Sequence, residues 1–120
     1  MKFSHEMIMC IVNAGYYDEV MKVAKEQGAR GGTVISARGT ANPEAEKFFN
    51  IAVQPEKDIV LIVVPSEIKE KLMKALYTEV GLDSPGQGIA FSLPIDDAVG
   101  LTKAPAVENL ETNNEINKEN

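Results

Sequence analysis

Residues 59–64 read IVLIVV, six apolar side chains in succession. A run of this length is that of a strand, and unbroken apolar character predicts burial on both faces. Pro65 closes it, and Ser66 suits the N-cap of a following helix with Glu67 in its first turn. In that helix Ile68, Leu72, Ala75, Leu76 and Glu79 map an inward face, and Lys69, Glu70, Lys71 and Lys74 an outer one. A loop with Gly81, Pro85, Gly86 and Gly88 comes next. The alternation of Ile89, Phe91, Leu93 and Ile95 then predicts a last strand.

Upstream, residues 7–13 (MIMCIVN) have strand length, and Gly15 ends them. Residues 17–27 carry Val20, Val23, Ala24 and Gln27 at helical spacing, with Asp18 and Glu19 where the helix dipole favours them and Gly28 as the stop. Residues 33–37 (TVISA) predict another strand. Residues 38–58 have mixed polarity, Pro43, Pro55 and weak periodicity; Phe48 and Phe49 can anchor them, and residues 43–50 can hold a helical turn. A connection this long inside a small domain is usually functional.

The order β–α–β–β–α–β predicts an α+β fold, a ferredoxin-like sandwich with an antiparallel sheet and two helices on one face. Helices on one face leave the other side of IVLIVV uncovered. Assembly through that face removes the conflict, so the chain is expected not to be a monomer; a trimer of inward-facing sheets is one familiar way to achieve this.

The chain has 120 residues, 44% apolar and 25% charged, enough for one domain with a small core. A net charge of −6 argues against nucleic acid and anionic lipid as partners. With no Trp and seven aromatic residues in all, a base-stacking platform is not expected. No apolar run approaches the roughly 20 residues of a membrane span, and the N-terminus makes a poor signal peptide, so a cytoplasmic location is expected. Residues 1–103 read as the folded domain. Residues 104–120 hold four glutamates against Lys118, half of the net charge, and read as an acidic, unstructured tail; docking of Val107 and Leu110 onto a neighbour is the alternative.

Catalytic chemistry finds little support. His5 is the only histidine and sits near the terminus, and Cys10 is the only cysteine, inside an apolar strand. The two lack company for a metal, and one cysteine forms no internal disulfide. Asp96 and Asp97 are adjacent at a strand end, which suits a solvated turn better than a shared dyad. Two glycine-bearing loops are better candidates. Gly31, Gly32 and Thr33 let backbone approach a ligand beside a hydroxyl, and the Gly86, Gln87, Gly88 turn can aim clustered N–H groups at an anion. Arg30 and Arg38, the only arginines, lie beside the first loop and suit a phosphate or carboxylate.

The segments GARGGTVISARG, IVLIVVP and GQGIAFSLPIDDAVGL, in one register over residues 7–101 apart from a shortened central loop, resemble the PII signal-transduction family. The resemblance implies trimers of ferredoxin-like subunits that bind adenine nucleotides in clefts between subunits, with no cofactor required. It implies that residues 38–58 are the T-loop that engages a partner transporter or metabolic enzyme, and that residues 82–88 are the B-loop. Gly31, Gly32 and Thr33 fall at the adenine end, Gly86, Gln87 and Gly88 at the phosphates, and Lys57 on the lysine at the T-loop base. Arg38 and Lys103 are the remaining cations of the implied site.

The chain also departs from the family. Ile89 stands in place of its phosphate lysine, and Leu82-Asp83 in place of its Thr-Gly. Its phosphate-gripping arginines fall on Asp97, Gly100 and Thr102, with Lys103 alone nearby. Each lost hydrogen bond to a charged group is worth about 1.5–3 kcal/mol, which weakens ATP most. The expected effector is therefore an adenine nucleotide (AMP, ADP or ATP), a cyclic nucleotide, or a small anion such as bicarbonate. The central loop lacks the family's Tyr and its first Gln, which points away from uridylylation and 2-oxoglutarate chelation. Nitrogen regulation is the role the resemblance implies. The competing readings are a trimeric protein of divalent-cation-tolerance type, an ACT-type sensor, and a small dimeric α+β barrel enzyme.

Overall fold

The structure, a computed structural model, describes residues 3–40, 55–84 and 86–101. The elements run β1 (His5–Asn13), α1 (Tyr17–Glu26), β2 (Thr33–Arg38), β3 (Glu56–Pro65), α2 (Lys69–Glu79) and β4 (Gly88–Ile95). The strands form one sheet in the order β2-β3-β1-β4, with every neighbouring pair antiparallel. This is the expected ferredoxin-like α+β arrangement.

The register sorts the side chains by face. Ile8 and Cys10 of β1 pair with Ile62 and Val60 of β3, and with Val12 and Val64 they lie on the side covered by the helices. They form one core with Val20, Val23 and Ala24 of α1 and Leu72, Ala75 and Leu76 of α2. The opposite side carries Met7, Met9, Ile11, Ile59, Leu61 and Val63. The alternating residues of β4, Ile89, Phe91 and Leu93, stand on this same open side. Among the described residues, the two-sided apolar character of β3 therefore meets the helices on one face and no packed element on the other.

Helix α1 ends in a Schellman motif. The Ala29 N–H donates to the Ala24 carbonyl (2.9 Å) and the Gly28 N–H to that of Lys25 (3.1 Å), with Gly28 at φ +111°. Only glycine adopts that φ without strain, and the turn buries Ala29 against the core.

Several expectations are corrected. Ser66 does not cap α2: the chain first makes a 3₁₀ turn over Ser66–Ile68, and no side chain caps the helix. The Ser66 hydroxyl instead donates to the Phe3 carbonyl, while its N–H donates to the Ser4 carbonyl (2.9 Å), tying down the segment before β1. Glu79 is exposed, and the inward face continues at Val80 after the helix has ended. The long connection is shorter than 38–58, because antiparallel pairing runs out to Arg38 opposite Glu56 and is extended by Gly39 N–H to the Pro55 carbonyl (2.8 Å). The anchoring by Phe48 and Phe49, the helical turn at 43–50, Lys103 and the 104–120 tail all lie outside the described residues. Among the described residues no helix is long and apolar enough to cross a membrane.

Candidate functional site

The ends of β1 and β2 and the start of β3 meet at one end of the sheet. Asn13 is the last residue of β1 and faces Lys57 directly across the ladder. The Lys57 Nζ donates to Asn13 Oδ1 at 2.7 Å, and Asn13 Nδ2 donates to the Gly86 carbonyl at 3.2 Å. One step further along β3, Asp58 is 7% exposed, and its Oδ2 accepts the Gly15 N–H at 2.8 Å. A charge-assisted bond of this kind fixes the β1–α1 turn against the sheet.

Beside this cluster lies a cavity of about 350 Å³ lined by Ala14, Ser36, Ala37, Arg38, Glu56, Lys57 and Asp58. It therefore brings together Arg38 and Lys57 with two carboxylates. That mixture suits a ligand carrying both anionic and hydrogen-bond-donating groups, and is a poor cradle for a bare polyphosphate.

The turn at 86–88 is anchored to β1. Gly88 pairs with Val12 at φ +145°, and a Cβ there would collide with the Ile11 carbonyl. Glycine at this position allows the backbone approach that seats the turn. Gln87 is half-buried, and its N–H donates to the Ser84 carbonyl at 3.4 Å.

The predicted site residues thus fall into two groups. Lys57 and Gly86 are joined through Asn13, with Gln87 and Gly88 following and Arg38 at the adjoining cavity. Gly31, Gly32 and Thr33 lie at the β2 edge, all exposed. β2 and β4 are the two outer strands, three inter-strand steps apart, or about 14 Å at the usual spacing. The two glycine loops therefore sit on opposite edges of the sheet. Asn13 and Asp58 are the site residues the sequence reading missed; their partners lie 44, 73 and 43 positions away, and no local motif marks such contacts.

The remaining candidates are placed elsewhere. Cys10 is fully buried on the helix side of β1, and burial pushes its thiol up from 9.0 to about 11. His5 Nδ1 lies 3.1 Å from the Ser4 hydroxyl at the far end of the same strand. Asp97 Oδ1 accepts the Ala98 N–H at 2.9 Å in an exposed turn. Among the described residues no three His, Cys, Asp or Glu side chains cluster so as to hold a metal.

The sheet order, the helices on one face and the loop-end cavity define a ferredoxin-like α+β protein whose candidate ligand groups gather at loop bases. The sequence pattern of the nitrogen regulatory protein P-II family matches residues 5–104, and the chain belongs to that family. No curated protein sequence matches it. Among solved structures, the Arabidopsis thaliana PII protein bound to citrate superposes with a TM-score of 0.57 at 22% identity, over 78% of this chain and 77% of that one. A DUF3240 family protein from Shewanella baltica superposes with a TM-score of 0.61 at 14% identity, over 85% of this chain and all of the other. At these identities the likeness speaks to the fold. Family membership favours the regulator over the three competing readings.

Proposed function

We propose that this chain is a PII-like signalling protein of the cytoplasm. It assembles as a homotrimer through the open sheet face and binds a small effector in the clefts between subunits. Each cleft takes Gly31, Gly32 and Thr33 from one subunit and Gly86, Gln87 and Gly88 from the next. Arg38, Lys57 and Lys103 supply the positive charge. Effector binding changes the segment between β2 and β3, which engages or releases a partner transporter or metabolic enzyme in nitrogen regulation. The effector is an adenine nucleotide, a cyclic nucleotide or a small anion, and no cofactor or catalytic step is involved.

The observation that carries this reading is the separation of the two glycine loops on opposite sheet edges, each beside an apolar face that a second copy would cover. A small carboxylate is the alternative occupant, since a family relative has been solved with citrate. The test is a thermal-shift panel of AMP, ADP, ATP, cyclic AMP, cyclic di-AMP, bicarbonate and citrate against the full chain. A ligand that binds only the folded state stabilises it by about 2.7 kcal/mol at a hundred times its dissociation constant. The reading expects a shift with at least one of these and its loss in Thr33→Arg and Gln87→Ala variants. No shift with any of them at millimolar concentration overturns effector binding.

A further inference from the structure

We propose that Asn13 is a positioning residue that couples the base of the β2–β3 connection to the 86–88 turn. One side chain makes both bonds: Oδ1 holds Lys57 at 2.7 Å and Nδ2 holds the Gly86 carbonyl at 3.2 Å. The two ends make opposite demands. An ammonium group is donor-only and needs an acceptor, whereas a carbonyl needs a donor. A primary amide meets both from one carbon atom; a carboxylate or a hydrocarbon does not.

The sheet register explains why this position carries the link. Asn13 lies opposite Lys57 at the end of the β1–β3 ladder. On its other side the β1–β4 ladder stops one residue earlier, at Val12 opposite Gly88. The Gly86 carbonyl has thus left the sheet and is held by the Asn13 side chain, while Gly88 is seated against Ile11. The last three residues of β1 therefore support the turn, and Asn13 also hydrogen-bonds the β3 lysine.

The link responds to whatever competes for Lys57. An anionic group reaching the ammonium forms a stronger bond than an amide oxygen does. Drawing Lys57 away frees Asn13 to reorient and loosens its hold on Gly86. On the reading proposed above, Gly86 faces the cleft shared with the next subunit, so occupancy at one loop base is communicated to the neighbouring turn. That consequence rests on the proposed function; the coupling itself does not.

A ligand-free double-mutant experiment tests it. Amide ¹H–¹⁵N signals of Gly86, Gln87 and Gly88 are compared before and after Lys57→Met, in the parent chain and in the Asn13→Asp variant. Asn13→Asp keeps the acceptors for Lys57 and removes the donor to Gly86. The expected result is that Lys57→Met moves these signals in the parent chain and moves them at least about threefold less in the Asn13→Asp background. A merely structural Asn13 would lower stability without cutting the propagation. No movement in the parent chain, or equal movement in both backgrounds, overturns the proposal. If Lys57→Met does not fold, Lys57→Gln serves the same comparison. Because no ligand is added, failure here is distinct from failure of the effector panel.

Discussion

The open sheet face gives the sharpest expectation. In the isolated chain Ile35 is 44% exposed, Val63 39%, Ile89 59%, Phe91 38% and Leu93 40%. Together these five side chains present ~400 Å² of apolar surface, a patch as large as the largest on ordinary monomers. At about 25 cal/mol per Å², covering it is worth ~10 kcal/mol per chain, comparable to the cost of association. Phe91→Asp removes ~2 kcal/mol of that gain and would bury an unpaired carboxylate at a further several kcal/mol. A loss of ~5 kcal/mol per chain weakens assembly by more than about a thousandfold. The helix-side core is untouched, since Phe91 faces away from it. Size-exclusion chromatography with light scattering, alongside circular dichroism, is the assay. The parent chain should elute at a three-chain mass and Phe91→Asp at a single-chain mass with unchanged secondary structure. A parent chain of single-chain mass, or a variant that assembles normally, refutes the reasoning.

Three further outcomes follow from the packing. Gly88→Ala forces a Cβ into the Ile11 carbonyl at a positive φ and should lower the melting temperature more than any other single glycine-to-alanine change among the described residues, as read by calorimetry. Asp58→Ala removes the carboxylate that accepts the Gly15 N–H in a part-buried, charge-assisted bond, and should cost about 1.5–3 kcal/mol in a urea titration. Cys10, with its thiol pushed up to about 11, should resist alkylation in the native state at neutral pH and react once the chain is unfolded. The folded-state value lies above the unfolded one, so the unfolded chain deprotonates first. The thiol's contribution to stability is complete below pH 9.0 and is lost as pH rises towards about 11.

Much of the fold was legible because its signals are local. IVLIVV, MIMCIVN and the alternation of 89, 91, 93 and 95 each mark a strand, and the spacing of Val20, Val23 and Ala24 marks a helix face. The unbroken apolar run also signalled the uncovered side of the sheet. What the sequence did not reveal depends on partners distant along the chain. Ser66 has the chemistry of an N-cap, yet its hydroxyl is taken by Phe3, 63 residues away. Glu79 fits the helical period, but the helix ends there and Val80 takes the buried place. Asp58 reads as a loop carboxylate until pairing carries β3 back to Glu56. Asn13 looks like the polar end of a strand, and its role emerges only when Lys57 and Gly86 arrive on either side. The two glycine loops were found from composition, while their placement on opposite edges needed the strand order.

On the proposed function, the effector site is shared between the chains of one trimer. Native mass spectrometry of the full chain, sprayed with AMP, ADP and ATP in turn, reads assembly and ligand count together. The expected result is three chains carrying up to three molecules of a bound nucleotide, with none on any single chain. A single chain that retains nucleotide by itself, or an assembly of another size, would contradict it.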